Sequence, residues 1–303
     1  MQILFGDYKK VNSAGGTAVA IGNFDGLHKG HQKILKTLKE AAHDLGIPSV
    51  VYTFSEHPIN IIRVGLKLIC TNRRKEELME NEKIHTLFFD EFKNVRDLSP
   101  EEFVRDILVE KLNIKVAVIG KTGKFGRNSS GDAETLQKLG EKYGFSVMVA
   151  DAVAVYGTVC SSTEIRKKLE NGEMDKANEL LGYRYSIDGI VKGDKHLGRT
   201  YGYPTANIFP DEALLLPKCG VYATNVIFDG KSHKAITNVG TTSFDTDGKV
   251  KVESHILDYS GNLYDKTIRV EFLYYLRDFK NFINTEELKL QLDEDKKTRK
   301  LEG

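Results

Sequence analysis

The sequence predicts two domains of different class: an α/β domain on a doubly wound parallel sheet, then an all-β domain closing as an antiparallel barrel with a C-terminal helix. Three observations predict it. The chain has 303 residues, more than a single core usually organises. From Thr17 to about Gly182, short apolar runs alternate with amphipathic stretches, the punctuation of βαβ units. After Tyr185 the helical period stops and period-two runs separated by turn residues take over. The boundary is therefore expected between residues 1–182 and 183–303.

The first strand is expected at Ala18 to Ile21, followed by an amphipathic helix from Gln32 to Leu45, a strand from Ser49 to Phe54, a helix from Arg74 to Glu82 and a strand from Thr86 to Phe89. Ser99-Pro100-Glu101-Glu102 is a capping box with proline at the first helical position, where no N–H is needed. It leads a helix toward Leu112, and Val116 to Ile119 is the next strand. A second capping box, Ser161-Ser162-Thr163-Glu164, opens a helix that stops at Asn171-Gly172, and a short helix follows to Leu181-Gly182. The second half reads as strands at Ser186 to Val191, Val221 to Phe228, His233 to Val239, Val250 to Leu257 and Thr267 to Leu273. Turns such as Asp229-Gly230, Asp247-Gly248 and Ser260-Gly261-Asn262 join them. Closing these strands into a barrel removes exposed edges. Thr285 to Arg299 reads as one amphipathic helix.

Composition narrows the function classes. With 40% apolar and 29% charged residues the chain has the material for packed cores. Lys plus Arg exceeds Asp plus Glu by one, 44 against 43, so no global field favours nucleic acid or a membrane, and phosphate binding has to be local. Asp7, Lys9 and Lys10 interrupt the first ten residues and no apolar run approaches bilayer length, so the chain is expected in the cytoplasm. Cys70, Cys160 and Cys219 form no Cys-x-x-Cys pair, which argues against a disulfide framework or a structural zinc and reads as buried small hydrophobes.

Two segments carry chemistry. Gly22-Asn23-Phe24-Asp25-Gly26-Leu27-His28-Lys29-Gly30-His31 joins the first strand to the first helix, where doubly wound sheets bind ligands. Its glycines admit a polyphosphate to the backbone, the helix start offers free N–H groups, and His28 and His31 can donate to phosphate oxygens. Taken alone, the glycines could equally make a tight turn and the histidines cap the helix. Gly193-Asp194-Lys195-His196-Leu197-Gly198-Arg199-Thr200-Tyr201-Gly202-Tyr203-Pro204-Thr205-Ala206-Asn207 mixes glycines with a proline-fixed turn between strands. The Thr205 hydroxyl and Asn207 amide oxygen are hard neutral donors suited to Mg2+. Glu253, on the strand Val252-Glu253-Ser254-His255, can accept a hydroxyl proton during attack on a γ-phosphate. As isolated residues, Thr, Asn and Glu carry no such meaning.

The first segment resembles the His-x-Gly-His signature of the nucleotidyltransferase superfamily in the form used by bacterial FAD synthetases. Thr53-Phe54-Ser55-Glu56-His57-Pro58 and Cys160-Ser161-Ser162-Thr163-Glu164-Ile165-Arg166 are similar to further motifs of that family. Gly202-Tyr203-Pro204-Thr205-Ala206-Asn207 resembles the signature of riboflavin kinases, and Gly220-Val221-Tyr222-Ala223, Asn238-Val239-Gly240 and Leu263-Tyr264-Asp265 follow in that family's order. The chain is thus similar, over almost its whole length, to bifunctional riboflavin kinase/FMN adenylyltransferases. The resemblance implies a nucleotidyltransferase domain at 1–182 and a riboflavin kinase domain at 183–303. The substrates it implies are riboflavin, FMN and ATP with Mg2+, the products FMN and FAD, with no nucleic-acid or membrane partner.

By the same resemblance, Gly22, Phe24, Asp25, Gly26, His28, His31, Ser162, Thr163, Arg166, Gly193, Gly198 and Thr205 bind ATP. His28, His31 and Glu253 are catalytic, Thr205 and Asn207 hold the metal, and Phe125 and Arg277 contact the flavin. One loop departs from the pattern: Gly120-Lys121-Thr122-Gly123-Lys124-Phe125-Gly126 replaces the acidic pair of the family's Gly-Glu-Asp-Phe-x-Phe-Gly. That leaves open a riboflavin kinase whose N-terminal domain has lost or changed its activity. A flavin-binding sensor without turnover is a third reading, which the intact Thr205, Asn207 and Glu253 set disfavours.

Overall fold

The computed structural model describes residues 1–6, 15–58, 65–193, 205–240, 250–280 and 285–301. The first strands are β1 (Gln2–Phe5), β2 (Thr17–Ile21), β3 (Ser49–Phe54), β4 (Thr86–Asp90), β5 (Ile114–Gly120) and β6 (Ser146–Ala150). All pair in parallel, in the order β1-β4-β3-β2-β5-β6. The connecting helices are α1 (Lys29–Leu45), α2 (Asn72–Asn81), α3 (Pro100–Glu102, running on as a π-helical stretch Phe103–Val109) and α4 (Ala133–Tyr143). The Ser99 capping box is present as expected, with both reciprocal hydrogen bonds made. Because β2 leads to β3 on one side and is flanked by β5 on the other, the carboxyl ends of β2 and β5 bound the topological switch point. Central strands β2 and β4 are buried on both faces, which is why they read as continuous apolar runs. Val19, Tyr52, Phe88, Phe103, Ile119 and Phe125 are among the side chains that form this core.

After a small hairpin, β7 (Ala154–Val155) with β8 (Thr158–Val159), come α5 (Ser162–Glu170) and α6 (Met174–Leu181). The remaining strands are β9 (Ser186–Ile190), β10 (Thr205–Ile208), β11 (Gly220–Phe228), β12 (Lys231–Gly240), β13 (Lys251–Ile256) and β14 (Thr267–Arg277), and the last helix is α7 (Thr285–Leu301). They form an antiparallel sheet in the order β10-β13-β12-β11-β14-β9. A bridge between Lys192, just beyond β9, and Asn207 of β10 links its two ends. Gly189 permits that approach, since a Cβ there would stand 2.8 Å from Ile208 Cβ.

The expected helices and strands are all present; β1, β6, α4, β10 and the β7–β8 hairpin are additions to them, and two further readings differ. Strands β1 and β6 lie at the sheet edges and carry too little apolar contrast to stand out; β6 leaves Met148 and Val149 exposed. Cys70 and Cys160 are buried, whereas Cys219 is exposed. Packing divides the chain into Met1–Ser162 and Thr163–Gly303, whereas the change of sequence rhythm falls at Gly182. The reason is visible at α6. Asn178 Nδ2 donates to the Phe272 carbonyl at 2.8 Å, and its Oδ1 accepts from the Tyr185 amide at 2.7 Å. The Lys218 amide donates to the Leu169 carbonyl of α5 at 2.9 Å. Helices α5 and α6 continue the α/β rhythm in sequence and are held by barrel strands in space.

A fragment of residues 163–303 is therefore expected to melt cooperatively, and one of residues 183–303, which lacks Asn178 and Leu169, to melt at least about 10 °C lower or to aggregate. Thermal denaturation followed by circular dichroism checks this, and equal midpoints would place the structural break at Gly182.

Candidate functional site

In the first unit, the segment from Gly22 to His31 lies at the switch point and is fixed from beneath. Asp25 is 2% exposed. Its carboxylate accepts from the Ile69 amide at 3.0 and 3.2 Å and from the Cys70 amide at 3.3 Å. Gly26 N donates to Cys70 Sγ at 3.3 Å. Gly26 has φ of 76°, and a Cβ there would meet Ile69 Cγ2 at 2.7 Å, so both conformation and space demand glycine. Phe24 and Leu27 adopt φ of 48° and 32° with their side chains buried. The Asn23 carbonyl accepts from Thr53 Oγ1 and Lys75 Nζ. Of the expected nucleotide contacts, Phe24 and Asp25 thus turn their side chains into the protein, because the loop needs them as anchors.

His28 is the N-cap of α1, its Nδ1 accepting from the His31 amide at 3.3 Å. The two imidazoles stack with centroids 3.7 Å apart, and Phe24 stands 5.2 Å from His31. His31 Nδ1 is buried and has no hydrogen-bond partner among the described residues. An orphaned buried polar atom at a helix N-terminus is what an oxyanion would complete. Burial lowers His28 to about 4, and burial together with the His28 and Lys75 charges holds His31 well below the ordinary histidine range. Both rings are therefore neutral near pH 7, which lets them stack without repulsion. Ser162 Oγ donates to the Asp25 carbonyl at 3.0 Å, which brings Ser162 to the loop. Thr163 and Arg166 follow on α5, in the second unit.

In the second unit, Thr205 and Asn207 are two apart on β10 and share a face, and Asn207 lies opposite Glu253 on β13. Thr205 Oγ1 donates to Glu253 Oε1 at 2.7 Å. Asn207 is 6% exposed and its Oδ1 has no partner among the described residues. Three residues that sequence alone could only propose as a set are thus neighbours on one sheet face. Asn238 on β12 is the other cross-strand neighbour of Glu253. Gly193 lies just past the Lys192 bridge, and Gly198 lies outside the described residues.

Two expected flavin contacts have other partners. Phe125 is buried, with its ring 5.8 Å from Phe103, because the loop after β5 folds it back into the core. Arg277 forms a bidentate pair with Asp295 of α7, Nη2 to Oδ2 at 2.7 Å and Nε to Oδ1 at 3.0 Å. Its guanidinium fastens the last helix to the barrel. Cys70 is buried as the sequence suggested, but neither its place under the loop nor Lys75 could be read from a motif; only the fold carries them there.

Comparison with known proteins follows the same division. Residues 10–164 match the family model for FAD synthetase, and residues 181–301 match that for riboflavin kinase. Along 97% of its length the chain is 35% identical to a bifunctional riboflavin kinase/FMN adenylyltransferase of Pseudomonas fluorescens, covering 96% of that protein. The chain belongs to this family. A relative of the same description from Listeria monocytogenes is 33% identical over 91% of this chain and 89% of its own length. The fold is also that of a crystal structure from Streptococcus pneumoniae described as a macrolide-efflux protein, with a TM-score of 0.89, 28% identity and 99% of each chain covered. That description is of the other protein; among the described residues here no helix is long and apolar enough to cross a membrane.

The histidine burial has a measurable consequence. An unfolded His28 takes up a proton near 6.5 and the folded one only near 4, so stability is complete above pH 6.5 and falls as pH drops from 6.5 towards 4. At about 1.4 kcal/mol per pH unit, the loss reaches roughly 3 kcal/mol. His28→Asn, which keeps a capping side chain, is expected to make urea-unfolding stability fall less steeply over that window, with the His31 contribution remaining; an unchanged slope would show that His28 titrates normally.

Proposed function

We propose that the chain makes FMN and then FAD: riboflavin is phosphorylated by ATP in the barrel, and the FMN so formed takes the adenylyl group of a second ATP in the N-terminal domain. Residues 1–182 are assigned to adenylyl transfer and residues 183–303 to the kinase, and the enzyme is assigned to the cytoplasm. The observation that carries the reading is the Thr205, Asn207 and Glu253 cluster, with a hydroxyl bonded to the carboxylate and a buried amide oxygen left without a partner.

In the kinase step Glu253 accepts the proton of the ribityl 5′-hydroxyl as that oxygen forms its bond to the γ-phosphorus and the bond to ADP breaks. The orphaned Asn207 Oδ1 and the Thr205 hydroxyl fit a hard cation; Mg2+ held there would neutralise charge on the ATP phosphates. Gly193 and Gly198 are assigned to the nucleotide. In the second step an FMN phosphate oxygen attacks the α-phosphorus of ATP and pyrophosphate leaves. His28 and His31 donate to the phosphates, and Ser162, Thr163 and Arg166 are assigned to the triphosphate. Phe125 and Arg277 act on flavin binding through the elements they hold, the loop after β5 and helix α7.

A second reading is kept by one observation. Lys121 and Thr122 are exposed at the carboxyl end of β5, in place of the acidic pair of the pattern this loop resembles, which favours a kinase whose N-terminal domain has changed substrate. FMN with Mg-ATP, analysed chromatographically for FAD, distinguishes the two.

Glu253→Gln keeps shape and a hydrogen bond while removing the proton acceptor. FMN formation is expected to fall roughly a hundredfold to ten-thousandfold, with riboflavin affinity little changed. A folded Glu253→Gln protein with wild-type turnover, measured by FMN chromatography, removes the base from this mechanism.

A further inference from the structure

Lys75 belongs to no motif, yet it is 6% exposed on α2. Lysine is rarely buried so far unless the ammonium has a task. Its Nζ donates to the Asn23 carbonyl at 2.9 Å, and the same oxygen accepts from Thr53 Oγ1 at 3.1 Å. Two donors from separate elements, β3 and α2, thus fix one peptide of the turn. That peptide leads into Phe24, held at φ 48°, a backbone state costing roughly 1–3 kcal/mol that persists only when its surroundings over-determine it. The Phe89 ring supports the ammonium from 5.6 Å.

The charged and titratable groups that interact with Lys75 are Asp25 and Cys70 beside the loop and His31 at the start of α1, while Arg74 on its own helix acts on Cys70. Burial pushes Lys75 down, and Cys70 and Asp25 oppose that shift. Burial pushes the Cys70 thiol up to about 12, so the counter-charge that matters is the Asp25 carboxylate. Lys75 in turn helps to hold His31 low. The ammonium therefore touches the loop at its carbonyl and the phosphate-facing histidine through its field.

We propose that Lys75 is a positioning residue for adenylyl transfer, its ammonium clamping the Asn23 carbonyl so that the Gly22 to His31 loop is preformed for a nucleoside triphosphate. No proton or bond of the reaction passes through it. The proposal rests on reading this loop as the ATP site, and its test separates the two.

Lys75→Met removes charge and donor at similar length, Lys75→Arg keeps both, and Thr53→Val removes the other donor. Three quantities are read: FAD formation from FMN as kcat and the KM for Mg-ATP, FMN formation from riboflavin, and hydrogen exchange of the loop amides. Lys75→Met is expected to lower kcat/KM for Mg-ATP about ten- to a hundredfold and to speed exchange at Gly26, Leu27 and His31. FMN formation, made on a separate core, stays at the wild-type rate. Lys75→Arg restores most of the loss, and Thr53→Val shows a smaller change of the same kind. Wild-type ATP dependence and unchanged loop exchange in Lys75→Met would overturn the proposal, as would equal impairment of the Met and Arg variants. If Lys75→Met does not fold, Thr53→Val decides: unchanged loop exchange there overturns the clamp. A wild-type protein that forms no FAD sinks the adenylyl-transfer reading instead, and loop exchange alone then decides the role of Lys75.

Discussion

The buried carboxylate of Asp25 is the constraint on which the N-terminal site depends. A charge taken out of water must be met by hydrogen bonds or by an opposite charge, and Asp25 is met by the amides of Ile69 and Cys70. That requirement ties a turn after the second strand to a segment some distance along the chain, and the next helix follows from Asn72. The helix brings Lys75, which returns to the same turn at the Asn23 carbonyl. Once the turn is held, Phe24 and Leu27 keep left-handed backbone that they would not adopt free, and His28 is delivered to the start of α1 as its cap. The histidines are then buried, stacked and neutral before any ligand arrives.

The barrel reaches its site by a different route. The hydroxyls of Thr224, Thr237 and Ser254 lie fully buried and bond in a row, 2.7 and 2.8 Å apart, a ladder that fixes the register of β11, β12 and β13. A one-residue slip would break it and turn Glu253 to the opposite face. The bridge from Lys192 to Asn207 joins the ends of the sheet, and the pairing of β10 with β13 sets Asn207 opposite Glu253. Arg277 and Asp295 hold the last helix, and Arg299 donates to the Thr224 carbonyl and Asn225 Oδ1.

Much of this was legible in the sequence because the signals are local. Apolar runs, the capping box at Ser99 and the turn at Asp229-Gly230 each declare themselves within a few residues. Candidate site residues could be named because motif residues lie close together: His28 with His31, Thr205 with Asn207. What failed to show were contacts made across the fold. Nothing near Lys75 marks it as buried, and nothing near Phe125 or Arg277 says that one closes the core and the other pairs with Asp295. Strand β1 is an edge strand with exposed Ile3 and Phe5, so its pattern lacks the burial signature of its neighbours. Helices α5 and α6 continue the rhythm of the first half while packing with the second, because local pattern reports an element and not its partner.

Flavin phosphorylation and adenylyl transfer are proposed to use two different sets of residues on one chain. Glu253→Gln protein and His28→Ala/His31→Ala protein, each supplied with riboflavin and Mg-ATP, can be compared alone and mixed, with FMN and FAD resolved by chromatography. The account predicts that the first variant makes little of either product, the second makes FMN and no FAD, and the mixture makes FAD. A mixture that yields no FAD where the wild-type protein does would contradict it.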